Sequence, residues 1–236
     1  MKKTFATLVA SLATMPSTIA PSWSAEGHVN GYAEKNIAER TLPARGVPSD
    51  YAVIGDSIAA GDPFVSFASV AGLQSVGYPG RCLTKRCYLW NPLVGDFDIA
   101  IDGAPAFGVP GMTPRPKKII LEIGVNDLNT GASAKQVIRG LQLSEEVLKG
   151  LGVRTVFTTI VPPGKGFDGD ATQKAKRAKV NRWIRTQRKF IDFDRALRGW
   201  TGYMLPKYDS GDHLHPNQAG HDRMAAAVSD FIRRQW

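Results

Sequence analysis

Cysteine is scarce in this chain, with two, Cys82 and Cys87, among 236 residues. No further His or Cys stands near them to complete a tetrahedral set, which leaves a structural metal site without ligands. No stretch beyond the first 25 residues is apolar for long enough to span a bilayer. The chain has neither a Gly-x-Gly-x-x-Gly after its first strand-like run nor a Gly-x-x-x-x-Gly-Lys-Ser/Thr loop, which argues against nucleotide-binding architectures. It has no internal repeat and no low-complexity tract. Acidic residues are outnumbered, 21 Asp and Glu against 30 Lys and Arg, for a formal net charge of +9. Such an excess predicts attraction to anionic surfaces without saying which one. Nucleic acid is not expected as a partner, since no recognised binding motif is present.

The N-terminal residues carry a pattern of their own. Lys2-Lys3 is followed by mostly apolar or small residues from Phe5 to Met15, and the cluster Ser22-Trp23-Ser24-Ala25 closes the segment. This is the layout of a secretory signal peptide over residues 1–25, and it predicts a secreted or periplasmic protein with no transmembrane segment in the mature chain. Cleavage would remove two lysines and no acids, leaving about +7. In an oxidising compartment Cys82 and Cys87, set in a loop with Tyr78-Pro79-Gly80, are expected to form a disulfide, two free thiols being the alternative. Residues 26–49 are polar and read as a lead-in without its own core, so residues 50–236 form the expected domain.

Within that domain apolar runs alternate with helical patterns. Tyr51–Ile54 and Lys118–Ile123 read as short buried strands, Phe97–Ile101 alternates as a strand does, and Val153–Val161 is β-branched and closed by Pro162-Pro163. Apolar spacing predicts helices over 134–151, 171–188 and 217–235, with a short strand at 190–193. Residues 61–95 offer a short apolar stretch and then a loop. Strands alternating with helices predict a three-layer α/β/α sandwich on a mainly parallel sheet of about five strands.

Four motifs fall at the ends of these strands or in the loops after them: Gly55-Asp56-Ser57, Val109-Pro110-Gly111, Gly124-Val125-Asn126-Asp127 and Asp212-His213-Leu214-His215-Pro216-Asn217. Their residue types suit acyl transfer. A serine at a strand-to-helix turn needs a base, the base needs a carboxylate to orient it, and the tetrahedral intermediate needs donors aimed at its oxyanion. Taken alone, Asp56 or Ser57 could simply cap a helix.

With all four blocks in order from Tyr51 onward, the sequence resembles the SGNH hydrolases, the GDSL-type esterases and lipases. The resemblance implies a flavodoxin-like fold with Ser57 as nucleophile, His215 as base and Asp212 as its orienter. It places the oxyanion hole on Ser57, Gly111 and Asn126, with Gly108 a rival for the glycine. Ile58 and Val125 stand where the family often has leucine and glycine. No cofactor and no metal are implied. His213 is an alternative to His215, and His28 and His221 are expected on the surface. Asp127 reads as a turn or capping residue.

The expected function is an exported serine esterase. Short acyl groups such as acetyl, on a carbohydrate or cell-envelope polymer, fit a basic chain lacking a long apolar lid. Alternatives are a lipase, lysophospholipase or thioesterase of the same family, or a non-catalytic glycan-binding protein on the same scaffold. The basic run from Lys174 to Lys189 reads as a solvated face or as a contact with an anionic envelope surface.

Overall fold

Tyr51–Gly55 contains no residue that prefers water, and every one of its positions is buried. That is the signature of a central strand covered on both faces. In a computed structural model, which describes residues 50–61, 63–77, 79–84, 112–167 and 171–235, it forms β1 (Tyr51–Gly55). The helices α1 (Ser57–Ala60) and α2 (Phe67–Val70) lead to β2 (Gln74–Gly77). Next come β3 (Lys118–Glu122), α3 (Val125–Asn129), α4 (Ala134–Gly150) and β4 (Arg154–Thr158). The chain continues through α5 (Ala171–Arg185), β5 (Phe190–Ile191), α6 (Phe193–Leu197) and α7 (Gln218–Arg233). The proposed leader, the lead-in and the expected strand at Phe97–Ile101 lie outside the described residues.

The strands form one parallel sheet in the order β2-β1-β3-β4-β5. The order reverses at β1, since β2 pairs on one side and β3 on the other. Such a reversal leaves a crevice at the carboxyl ends of the two diverging strands, where open α/β sheets bind ligands. The register aligns Gly55 with Glu122, so β1 and β3 end side by side. Ser57 and Asn126 follow those ends by two and four residues.

The crossovers set α4 and α5 on one face of the sheet, where they pack on each other, while α7 packs against α2 and α6 on the other. Ile54, Ile119, Ile120, Leu121 and Phe157 fill the space between. Ser133 and Gln136 build a capping box at the start of α4, and Leu151–Gly152 ends it as the spacing predicts. The second face is secured through Arg185, whose guanidinium holds Asp192 at 2.8 Å and Asp194 at 2.6 Å, tying α5 to α6. Asn181 donates to and accepts from the backbone of Ile160, fixing the segment after β4 to the same helix.

Four elements depart from the sequence reading, the first being α3, a five-residue helix at the Gly124-Val125-Asn126-Asp127 motif. β2 lies where a loop follows the apolar stretch, and α2 lies within that stretch. α6 follows a β5 that is only two residues long. Each is short and takes its conformation from its neighbours rather than from a strong local pattern.

Candidate active site

The turn after β1 requires glycine. A Cβ at Gly55 would lie 2.3 Å from the carbonyl oxygen of Glu122 and 2.6 Å from Ala59 Cβ, so any side chain there would push β1 from β3. Asp56 then caps α1, its Oδ1 accepting from the Ile58 N–H at 3.0 Å. The capping expectation for Asp56 is met, and it leaves Ser57 as the first helical residue, half-buried at the carboxyl edge of the sheet. At the end of β3, Gly124 takes a φ of +118°, which reverses the chain into α3. Asn126 therefore sits in the first turn of α3, beside the same crevice. Among the described residues one of its two amide N–H groups is used, Nδ2 donating to the Arg81 carbonyl at 3.1 Å.

The loop before α7 brings His215 across to Ser57. Its foot is secured by Asn217, which caps α7 through Gly220 N–H and donates from Nδ2 to the carbonyls of Lys207 and Asp209. From there His215 places Nε2 2.8 Å from Ser57 Oγ, and its Nδ1 lies 2.6 Å from Asp212 Oδ2. Asp212 Oδ1 accepts from the N–H groups of Leu214 and His215 and from Ser210 Oγ, each at 2.8 Å. Burial alone would raise this carboxyl, but those bonds outweigh it and hold it well below the usual carboxylate range. An ionised Asp212 is what a histidine in this position needs, because it fixes Nδ1 as the protonated nitrogen and leaves Nε2 to accept from the serine.

His213 builds a second pair in the same loop. In a left-handed conformation (φ 64°), it places Nδ1 2.7 Å from Asp209 Oδ2. Asp209 Oδ1 accepts from the N–H groups of Gly211 and His213. This pair faces the Gly164–Gly166 segment, where a Cβ at Gly166 would lie 3.0 Å from the His213 ring, and Gly164 donates to the His213 carbonyl. Between the two histidines, it is therefore His215 that meets Ser57.

Behind Ser57 lie two fully buried carboxyl groups, Asp56 and Glu122. Among the described residues, Asp56 Oδ2 and Glu122 Oε2 have no donor if both groups are ionised. Burial raises the affinity of both for a proton, and each opposes ionisation of the other, so one proton shared between them satisfies both orphaned oxygens. Asp127 is also buried. Rather than capping a turn, it accepts from the Leu83 N–H with both oxygens, at 3.0 and 2.9 Å, and burial raises its pKa to about 6. The surface expectation for His221 is overturned. It is 1% exposed, beside the rings of Phe64 and Phe67.

The structure thus unites Ser57, Asp212 and His215 and puts Asn126 at the neighbouring strand end. Gly111 and its rival Gly108 lie outside the described residues, as does Cys87, so the oxyanion glycine and the Cys82–Cys87 bridge are not described; Cys82 itself is buried. Glu122 and Asp209 went unnoticed in the sequence. A lone charge closing an apolar strand was the available signal for Glu122. Among the described residues, no group of three His, Cys, Asp or Glu is placed to hold a metal ion.

No curated protein matches this sequence. Solved structures do. A GDSL-like lipase from Bacteroides thetaiotaomicron is 17% identical, with a TM-score of 0.57 over 87% of this chain and 97% of that one. An acetylxylan esterase from Geobacillus stearothermophilus is 17% identical, with a TM-score of 0.55 over 79% and 95%. A carbohydrate esterase family 3 protein from Talaromyces cellulolyticus is 16% identical, with a TM-score of 0.52 over 78% and 96%. At these identities the likeness establishes the α/β fold. The family model described as GDSL-like lipase/acylhydrolase matches residues 53–223, a span that opens within β1 and closes within α7. The serine turn, the asparagine turn and the histidine loop all fall inside that match, and the chain belongs to the GDSL-like lipase/acylhydrolase family of serine ester hydrolases.

Proposed function

We propose that the protein is an exported esterase that removes short acyl groups, such as acetyl, from a carbohydrate or cell-envelope polymer through an acyl-enzyme on Ser57. The observation that carries the mechanism is the continuous chain of hydrogen bonds from Ser57 Oγ through His215 to Asp212. Ser57 Oγ attacks the ester carbonyl as His215 Nε2 takes its proton. The imidazolium, stabilised by Asp212, returns that proton to the departing alkoxide. Water then attacks the acyl-serine, His215 takes a proton from it, and the carboxylic acid leaves as Ser57 regains its hydrogen. Asn126 keeps one amide N–H on the Arg81 carbonyl and has its second for the oxyanion, together with the Ser57 N–H and the glycine at 111.

Two features support the substrate reading. Carbohydrate-directed esterases are among the proteins of similar fold, and the leader-like N-terminus and basic balance suit a polymer outside the cell. The test is hydrolysis of p-nitrophenyl esters from acetate to dodecanoate by the parent and by Ser57→Ala. Turnover should be highest on acetate and abolished by the substitution. A maximum on long chains would overturn the short-acyl reading, and equal turnover by both chains would remove Ser57 as nucleophile.

A further inference from the structure

Between α5 and the turn that follows α6 lies a strongly basic cleft of about 360 Å³. Lys174, Arg177, Arg182, Arg185 and Arg198 line it, with Asp194 as the one acid among the lining residues. That acid is already occupied, because Arg185 holds it at 2.6 Å and Arg198 approaches to 3.6 Å. Arg177 has no hydrogen bond or ion pair among the described residues, yet it is half-buried, and burial lowers its pKa against the pull of Asp194. A guanidinium partly withdrawn from water, facing only an acid that two other arginines already hold, is costly to keep. A bound carboxylate or other oxyanion would remove that cost, and the planar fork of arginine suits a bidentate partner.

A second, independent feature stands at the rim. Trp200 is 97% exposed, beside Thr201 and Gly202 of the cleft wall, although tryptophan is usually well covered in folded proteins. Its turn is rigidly closed, with Gly199 donating to Tyr203 at 2.8 Å and Arg198 bridging to Met204. Lys174 braces the same turn, its Nζ lying 3.7 Å from the centre of the Tyr203 ring. A flat apolar face held out in water at the residue adjoining the wall of a basic cleft can bury the C–H face of a sugar ring while the cleft's cations take its charge.

The position relates this cleft to the chemistry. Lys174 and Arg177 lie in the first two turns of α5, the end nearest the carboxyl edge of β4, and β4 is two strands from β1, or about 10 Å. The same two residues wall a second small pocket whose other lining residues include Leu214, the neighbour of His215, and Val125, the neighbour of Asn126. We infer that this cleft and Trp200 bind an acidic sugar of the substrate polymer, so that the preferred substrate is an acylated polyanionic glycan rather than a neutral one. This rests on the esterase reading for its link to turnover, whereas the binding itself does not. A flat anionic membrane fits less well, because Arg177 is recessed where a lipid headgroup plane would not reach it.

Binding is measured in the full-length Ser57→Ala chain, which cannot consume its ligand, by titration with oligogalacturonate, a neutral xylo-oligosaccharide and phosphatidylglycerol vesicles at low and at 0.5 M salt. Oligogalacturonate should bind at least tenfold tighter than the neutral oligosaccharide, and added salt should erase most of the difference. Adding Arg177→Gln or Trp200→Ala to this chain should each weaken the acidic ligand about tenfold. Because Trp200 is fully exposed, its substitution keeps the test open if the arginine variant folds poorly. In the active chain, Arg177→Gln should lower the ratio of kcat/KM on O-acetylated polygalacturonate to that on acetylated xylan by a similar factor. Equal affinity for acidic and neutral sugars, indifference to both substitutions, or binding to the vesicles alone would overturn the inference. If p-nitrophenyl acetate is cleaved and none of these preferences appears, the cleft assignment fails while the esterase stands. If the acidic ligand binds through Arg177 and Trp200 but no ester is cleaved, the reverse holds.

Discussion

Replacing His221 with leucine should make the protein resistant to acid. His221 sits on the inner face of α7 with its ring nearly parallel to that of Phe67, and its Nδ1 has no partner among the described residues. Burial pushes the imidazole from 6.5 down to about 4; the nearby Asp222 opposes the shift and His215 adds to it. The unfolded chain therefore takes up a proton near pH 6.5, whereas the folded chain waits until about pH 4. Stability is untouched above the higher value and falls as pH drops towards the lower, since unfolding binds a proton across that window. At 1.36 kcal/mol per pH unit the full loss is about 3 kcal/mol, or roughly 6–12 °C in Tm for a chain of this size. Leucine removes both the titration and the unpartnered nitrogen. In urea unfolding at about pH 7.5 the two proteins should agree within about 1 kcal/mol, and at about pH 4.5 the leucine variant should be ahead by about 2–3 kcal/mol. Taking the difference between the chains cancels Asp56, Glu122 and Asp127, whose raised pKa values act in the opposite sense. A gap of the same size at both pH values would show that folding does not lower the proton affinity of His221.

The remaining expectations address the site. Asn126→Ala should lower kcat on p-nitrophenyl acetate by about 10²–10³ with little change in KM, as loss of an oxyanion donor does; a change confined to KM would deny it that role. His215→Gln should cost at least about 10³ in kcat, whereas His213→Gln should cost less than about tenfold, and the reverse order would exchange their roles. Because Asp56 and Glu122 keep a proton when folded that they lose when unfolded, the stability they confer is lost as pH rises through their elevated folded values. Glu122→Gln supplies a permanent donor instead, so its Tm should decline less than the parent's from about pH 5 to pH 9, and parallel curves would disprove the shared proton.

Much of this was legible in residue type and spacing. β1 and β3 announce themselves as apolar runs that stop at glycine, and the serine, asparagine and histidine blocks identify themselves because each needs only a few adjacent residues. What escaped notice depends on partners far along the chain. β2 reads Gln-Ser-Val-Gly, half-buried at every position, and it is a strand because β1 offers it an edge. Glu122 and Asp56 acquire their chemistry only when the register sets their strand ends together. His221 was within reach, since it stands three residues before Met224 and seven before Val228 and so shares their inward face. Its polar character hid what its spacing showed. Asp209 serves His213 through a left-handed residue that no local pattern marks.

The hydrogen bond between Ser57 and His215 joins residues 158 positions apart, and Gln218 reaches back in the same way to both backbone groups of Val65. A ribosome must therefore deliver nearly the whole polypeptide before that pair can close. Turnover of a chromogenic acetate is in consequence a gauge of completed long-range closure, one that a collapsed intermediate with its helices already formed would fail to register.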